Sequence, residues 1–122
     1  MVHGSRPIMH EMSMAQTILT AALAELKKHP AARLKTVRVV VGRQHAVVPD
    51  NLRFAFEALN RATPAEDAKL AIVIRPVTVR CRSCGWAGVI QSSGYVCGAC
   101  GGGELEMTGG DELYLDSLVL DE

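Results

Sequence analysis

The residues best placed by type and spacing to do chemistry are four cysteines. They stand as Cys81-Arg-Ser-Cys84-Gly85 and Cys97-Gly-Ala-Cys100-Gly101, with residues 85–96 between the pairs. Two residues between thiolates let both sulfurs point at one centre. A glycine after each pair permits the tight turn that aims backbone amides at sulfur. Two such knuckles make a closed tetrahedral site of four sulfurs, the geometry of structural zinc; mononuclear iron suits the same donor set. Two disulfides are the competing arrangement, but close pairs in a chain without an export signal favour metal. With four thiolates and no open position, the ion would not activate water.

The elements that must hold these cysteines do not resemble an ordinary core. Residues 81–107 are rich in Gly and Ser, and their large apolar residues are few, chiefly Trp86, Val89, Ile90, Tyr95 and Val96. So little apolar surface does not offset the entropy of ordering the segment. Metal binding, worth on the order of 10–16 kcal/mol at a structural zinc site, does.

Either side of this insert the periodicities are regular. Ala15, Ile18, Leu19, Ala22, Leu23 and Leu26 recur at helical spacing. Ser13 and Gln16 have the spacing of a capping box, which starts the helix at Ser13. Lys27, Lys28 and His29 suit its negative end, and Pro30 stops it. Residues 36–42 alternate and are β-branched, as a strand requires. Pro49 and Asp50 open a second helix with Leu52, Phe56 and Leu59 on one face, and Thr63-Pro64 breaks it.

Residues 69–75 predict a second strand running past Pro76 towards Cys81, and residues 112–120 a third, irregular around Asp116-Ser117. The expected fold is α/β (α+β): two helices packed on a three-stranded mixed sheet, with a four-cysteine zinc-knuckle subdomain inserted before the last strand. The expected domains are a disordered extension or cloning remnant over residues 1–8, an α/β body over 9–80 plus 108–122, and a zinc-binding subdomain over 81–107.

Composition narrows the function. A chain of 122 residues is one domain with at most a small satellite. Thirteen basic and thirteen acidic residues cancel, so neither nucleic acid nor an anionic membrane is an expected partner. Five aromatic residues (one Trp, two Tyr, two Phe) are too few for a base-stacking platform. No apolar run spans a bilayer, and none ends in a cleavage site, so the expected compartment is the cytoplasm.

A second candidate constellation is Met9-His10-Glu11, leading into the first helix. By itself it reads as a polar lead-in, with Glu11 favoured near the positive helix end. Here, however, the run MHEMSMAQTIL resembles the start of the HypA-type nickel-incorporation metallochaperones, which mature nickel-iron hydrogenase and in some cases urease. The resemblance continues through residues 48–57 (VPDNLRFAFE), Ala68-Lys-Leu70, both knuckles and residues 110–115 (GDELYL). It implies nickel(II) as transported cargo, bound by His10 with help from the Met9 amine, nearby backbone nitrogens and Glu11 as proton acceptor or oxygen donor. It also implies, as partners, a nickel-handling GTPase and the hydrogenase large-subunit precursor, with self-association left open.

The chemistry is sound, since nickel(II) favours square-planar nitrogen ligands and imidazole suits it. The chain departs from the family pattern in that Met9 is not residue 1. With the preceding residues in place its nitrogen is an amide, and loss of Met1 would instead expose Val2-His3. Arg43-Gln44 also departs from the acidic residue that many relatives carry after the glycine matching Gly42.

Other candidates carry less. His45 reads as a solvated loop residue, with partner contact or metal ligation as the sharper options. His29 reads as a helix-end cation, Glu57 as solvated, and Phe54, Phe56 and Leu59 as core. Met12 and Met14 read as packing residues. No phosphate loop and no nucleophile–base pair is visible, so no enzyme is expected. The alternative function is a zinc-ribbon protein- or nucleic-acid-interaction module without nickel transfer. Because the two metal sites are built from separate segments, changing Met9 or His10 should leave zinc near about one ion per chain. Elemental analysis of the variants checks this, and zinc loss from a His10 change alone would contradict it.

Overall fold

A computed structural model describes residues 6–90 and 95–121. Residues 1–5, which include Val2-His3, lie outside the described residues, as does the Met9 side chain. In chain order the elements are α1 (Arg6–Leu26), β1 (Arg33–Gly42), a 3-10 turn (Arg43–His45), α2 (Pro49–Leu59), β2 (Lys69–Arg75), β3 (Val77–Cys81), β4 (Ala87–Ile90), β5 (Leu105–Gly109) and β6 (Leu113–Asp121). The expected two helices and three strands are present, and the cysteine-bearing segment adds three short strands of its own. The strands form two sheets, ordered β2-β1-β6 and β4-β3-β5.

The chain divides into two compact units. One comprises Met1–Val40, Val47–Val73 and Tyr114–Glu122; the other comprises Val41–Ala46 and Ile74–Leu113.

In the first unit the core is apolar and drawn from both helices and two strands. Ala15, Ile18, Leu19, Ala22 and Leu26 of α1, Leu52, Ala55 and Phe56 of α2, Val37 and Val39 of β1 and Leu70 of β2 are all buried. Phe54, expected in the core with Phe56, is 72% exposed. The two residues lie two positions apart, roughly 200° around a helix, so they cannot share a face.

α1 begins earlier than the capping-box spacing predicts. Ser13 is exposed inside the helix, its carbonyl accepting from Thr17 Oγ1 at 3.1 Å, while the exposed Gln16 turns to Thr20 at 3.4 Å. No residue after Pro7 breaks a helix there, and Pro is tolerated in a first helical turn. His10 and Glu11 therefore belong to α1 instead of preceding it. The α2–β2 connection closes on Asn60, whose buried amide donates to Ala65 O at 2.9 Å and Ala68 O at 3.2 Å.

The expected single strand across Pro76 is two strands, β2 and β3, in different sheets. Proline has no N–H to continue a ladder, so it marks the exchange. β3 is the central strand of the second sheet and pairs antiparallel with both β4 and β5. β6 is continuous from Leu113 to Asp121, and the expected irregularity at Asp116-Ser117 is a break in burial alternation, both residues being exposed. Phe56 is fully buried, so Phe56→Ala should cost about 3–5 kcal/mol. Denaturant unfolding of the zinc-loaded protein measures this.

Candidate metal centre

The four cysteines are brought together by two turns with the same hydrogen-bond pattern. In the first, Gly85 N–H donates to Cys81 O at 2.9 Å and Cys81 N–H to Trp86 O at 2.7 Å. In the second, Gly101 N–H donates to Cys97 O at 3.0 Å and Cys97 N–H to Gly102 O at 2.8 Å. Each turn passes through a left-handed residue, Gly85 (φ +82) and Gly101 (φ +75). That conformation is why a glycine follows each pair. The leading cysteines, Cys81 and Cys97, are buried, whereas Cys84 and Cys100 are exposed.

All four sulfurs lie within 4.8 Å of one another, the one such group of His, Cys, Asp or Glu donors among the described residues. Cys81 and Cys100 Sγ are 3.8 Å apart, and Cys84 and Cys97 Sγ 3.5 Å. A tetrahedral ion about 2.3 Å from each sulfur requires edges of about 3.8 Å. A covalent disulfide requires about 2.05 Å. The spacing fits a shared ion and no disulfide.

The protonation balance points the same way. For Cys97, burial works to raise the thiol, but the N–H groups of Cys100 and Ala99 and the neighbouring thiols outweigh it and bring it to about 6. Both N–H groups stand 3.3 Å from its sulfur. The Cys84 N–H chiefly draws Cys81 down. Trp86 N–H acts to lower Cys84, yet Cys97, burial, Cys81 and Cys100 together push it up to about 12. Cys100 is likewise raised, the Gly102 N–H being overcome by the Cys97 and Cys81 sulfurs. Four sulfurs this close share protons unless a cation replaces them.

Trp86 secures the two knuckles. A Cβ on Gly88 would collide with its ring, and one on Gly98 would lie 2.6 Å from it. The ring therefore lies against both glycines, one beyond the first knuckle and one inside the second. It packs with Leu105 on the small core of Val77, Val79 and Ile90. The sequence signal was available in the glycines at 88 and 98, but only the ring between them explains it.

Within the same unit, Gly42 runs against the Gly110 backbone. A Cβ there would collide with the Gly110 carbonyl, while Gly42 N–H donates to Glu112 O at 2.7 Å. His45 is half-buried and pinned, its Nε2 donating to Asp111 O at 3.0 Å.

In the other unit His10 is exposed on α1, and the adjacent Glu11 is 1% exposed with Oε2 accepting from Val48 N–H at 2.8 Å. Glu11 is buried although it stands near the positive end of a helix, where a glutamate is ordinarily solvated. The signal was its place four residues before Ala15 and seven before Ile18, on the buried stripe. Among the described residues no helix is long and apolar enough to cross a membrane.

The family model for hydrogenase/urease nickel-incorporation metallochaperones, HypA, matches residues 9–120. The chain belongs to this family. A hydrogenase maturation factor HypA from Desulfatibacillum aliphaticivorans is 36% identical over 111 residues, covering 90% of this chain and 85% of that protein. One from Alkalilimnicola ehrlichii is 36% identical over 113 residues, covering 93% of this chain and all of the relative. The solution structure of the nickel metallochaperone HypA from Helicobacter pylori is similar at a TM-score of 0.61 and 26% identity, over 88% of this chain and 94% of that one. A second solution structure of a HypA protein gives 0.65 and 28%, over 90% and 94%. The HypA match thus takes in both the α1 segment and the cysteine cluster, and it places the chain among nickel metallochaperones of hydrogenase maturation.

The depressed Cys97 thiol fixes a sign. Its thiolate contributes above the ordinary thiol range, and that contribution is lost as pH falls through about 6. Zinc displaces the protons of all four thiols, so its affinity, measured by chelator competition, should weaken throughout as pH is lowered. Trp86 emission should shift to the red as the ion leaves.

Proposed function

We propose that this HypA-family chain carries nickel(II) at His10 and keeps its cysteine unit folded around a structural zinc ion. The observation that supports it is an exposed imidazole at the second position of Met9-His10-Glu11, where the family match begins. The similar HypA structure from Helicobacter pylori is that of a nickel metallochaperone.

The donor set explains the division of labour. Zinc in a closed four-thiolate cage has no vacant position and is held for structure. Nickel at an exposed imidazole, with backbone nitrogens of Met9 and its neighbours, has few ligands and is easily surrendered. About 8 kcal/mol already gives micromolar affinity, which suits delivery. An amide nitrogen engaged in a helix cannot chelate, so this set needs the first turn of α1 to release residues 9 and 10.

The protein then acts without catalysing a reaction. It hands its ion on to the hydrogenase large-subunit precursor in concert with a nickel-handling GTPase, in the cytoplasm, with urease as a further recipient and pairing with a second copy compatible with this role. Calorimetric titration of the zinc-loaded chain with nickel(II) tests the reading. One ion should bind, and His10→Ala should weaken it on the order of tenfold or more, about 1.4 kcal/mol per decade. Unchanged affinity in His10→Ala would refute the assignment.

A further inference from the structure

We propose that Glu11 is a positioning residue of the nickel segment, its carboxylate clipping α1 to the start of α2 and so fixing the point at which residues 9 and 10 leave the helix to bind nickel. The inference rests on the reading of His10 as nickel ligand and assigns Glu11 a different part from that of an oxygen donor. His10 and Glu11 are consecutive on α1, and successive helical side chains point about 100° apart. One is exposed, and the other is 1% exposed.

The interior partner is specific. Val48 is the N-cap of α2, in extended backbone (φ −94, ψ 114), and has no side-chain cap of its own. In a capping box the third helical residue would accept the cap N–H. Here that residue is Asn51, and the Val48 N–H goes to Glu11 Oε2 at 2.8 Å. Pro49, next in line, has no N–H to offer. Glu11 thus supplies from another helix the acceptor that α2 lacks, and it places a carboxylate where the α2 dipole favours one. The second oxygen, Oε1, is enclosed and has no partner among the described residues. Neither oxygen is presented to an ion at the exposed imidazole. Leaving this position would break the Val48 bond.

The test compares the zinc-loaded full chain with Glu11→Ala, Glu11→Gln and His10→Ala. The readouts are the Val48 amide resonance, the thermal midpoint and calorimetric nickel affinity. Gln keeps an acceptor for Val48 N–H but no charge, and Ala keeps neither. Glu11→Ala should move the Val48 amide, lower the midpoint by several degrees and weaken nickel roughly 10- to 100-fold. Glu11→Gln should restore the amide and bring affinity back to within about threefold of wild type.

Equal loss of nickel in Gln and Ala, with the Val48 amide intact in Gln, would make the carboxylate a ligand and overturn the proposal. A Val48 amide unmoved by Ala would overturn it too. If Glu11→Ala does not fold, Glu11→Gln decides with the Val48 amide as witness: nickel loss with the amide in its wild-type place overturns the proposal, and nickel affinity that falls only as the amide moves supports it. Nickel binding unaffected by His10→Ala would instead sink the His10 reading, and the amide and melting data would still report on the clip.

Discussion

Four sulfurs within 4.8 Å of one another repel as thiolates and waste their donor capacity as thiols, and most of the second unit follows from that constraint. A divalent cation at the centre resolves it by exchanging protons for metal–sulfur bonds. The rest of the unit is arranged to hold the sulfurs there. Two turns with matched hydrogen bonds point the cysteines inward, and glycines at 85 and 101 take the left-handed backbone. A single tryptophan braces both knuckles. The apolar core under them is only Val77, Val79 and Ile90, with Trp86 and Leu105. An ion at the sulfurs would stand in for the burial that this segment cannot supply.

The first unit is held by different physics. Its interior is a conventional apolar core from α1, α2, β1 and β2, and among the described residues the single buried carboxylate is Glu11. A buried carboxylate is costly unless it is bonded. Its partner, the amide at the start of α2, makes the cost useful, because the bond joins two helix starts and α2 has no local cap to fix its own. The result is a segment with one residue committed to the interior and its neighbour offered to solvent.

That contrast suits a carrier. An ion needed for folding belongs in a closed cage of soft donors. An ion meant to be given up belongs on few ligands at an accessible place. Membership of the HypA family, with its match running from residue 9 to residue 120, gives this pairing its biological sense.

The cysteine cluster, the two helices and the strands β1, β2 and β6 were legible in the order of residues alone. Each rests on a local rule, whether ligand spacing, turn glycines or side-chain periodicity, and local rules survive without knowledge of the fold. The sequence also marked His10 and Glu11 as candidates through the run they share with a known family. The features that local rules left open depend on contacts between residues far apart in the chain. The placement of β2 and β3 in different sheets, the Trp86 ring between Gly88 and Gly98, and the pinning of His45 on Asp111 are of this kind. Glu11 shows the reason most plainly. A glutamate near a helix start is ordinarily solvated, and only the unfilled N–H of Val48, 37 residues away, makes burial its lower-energy place.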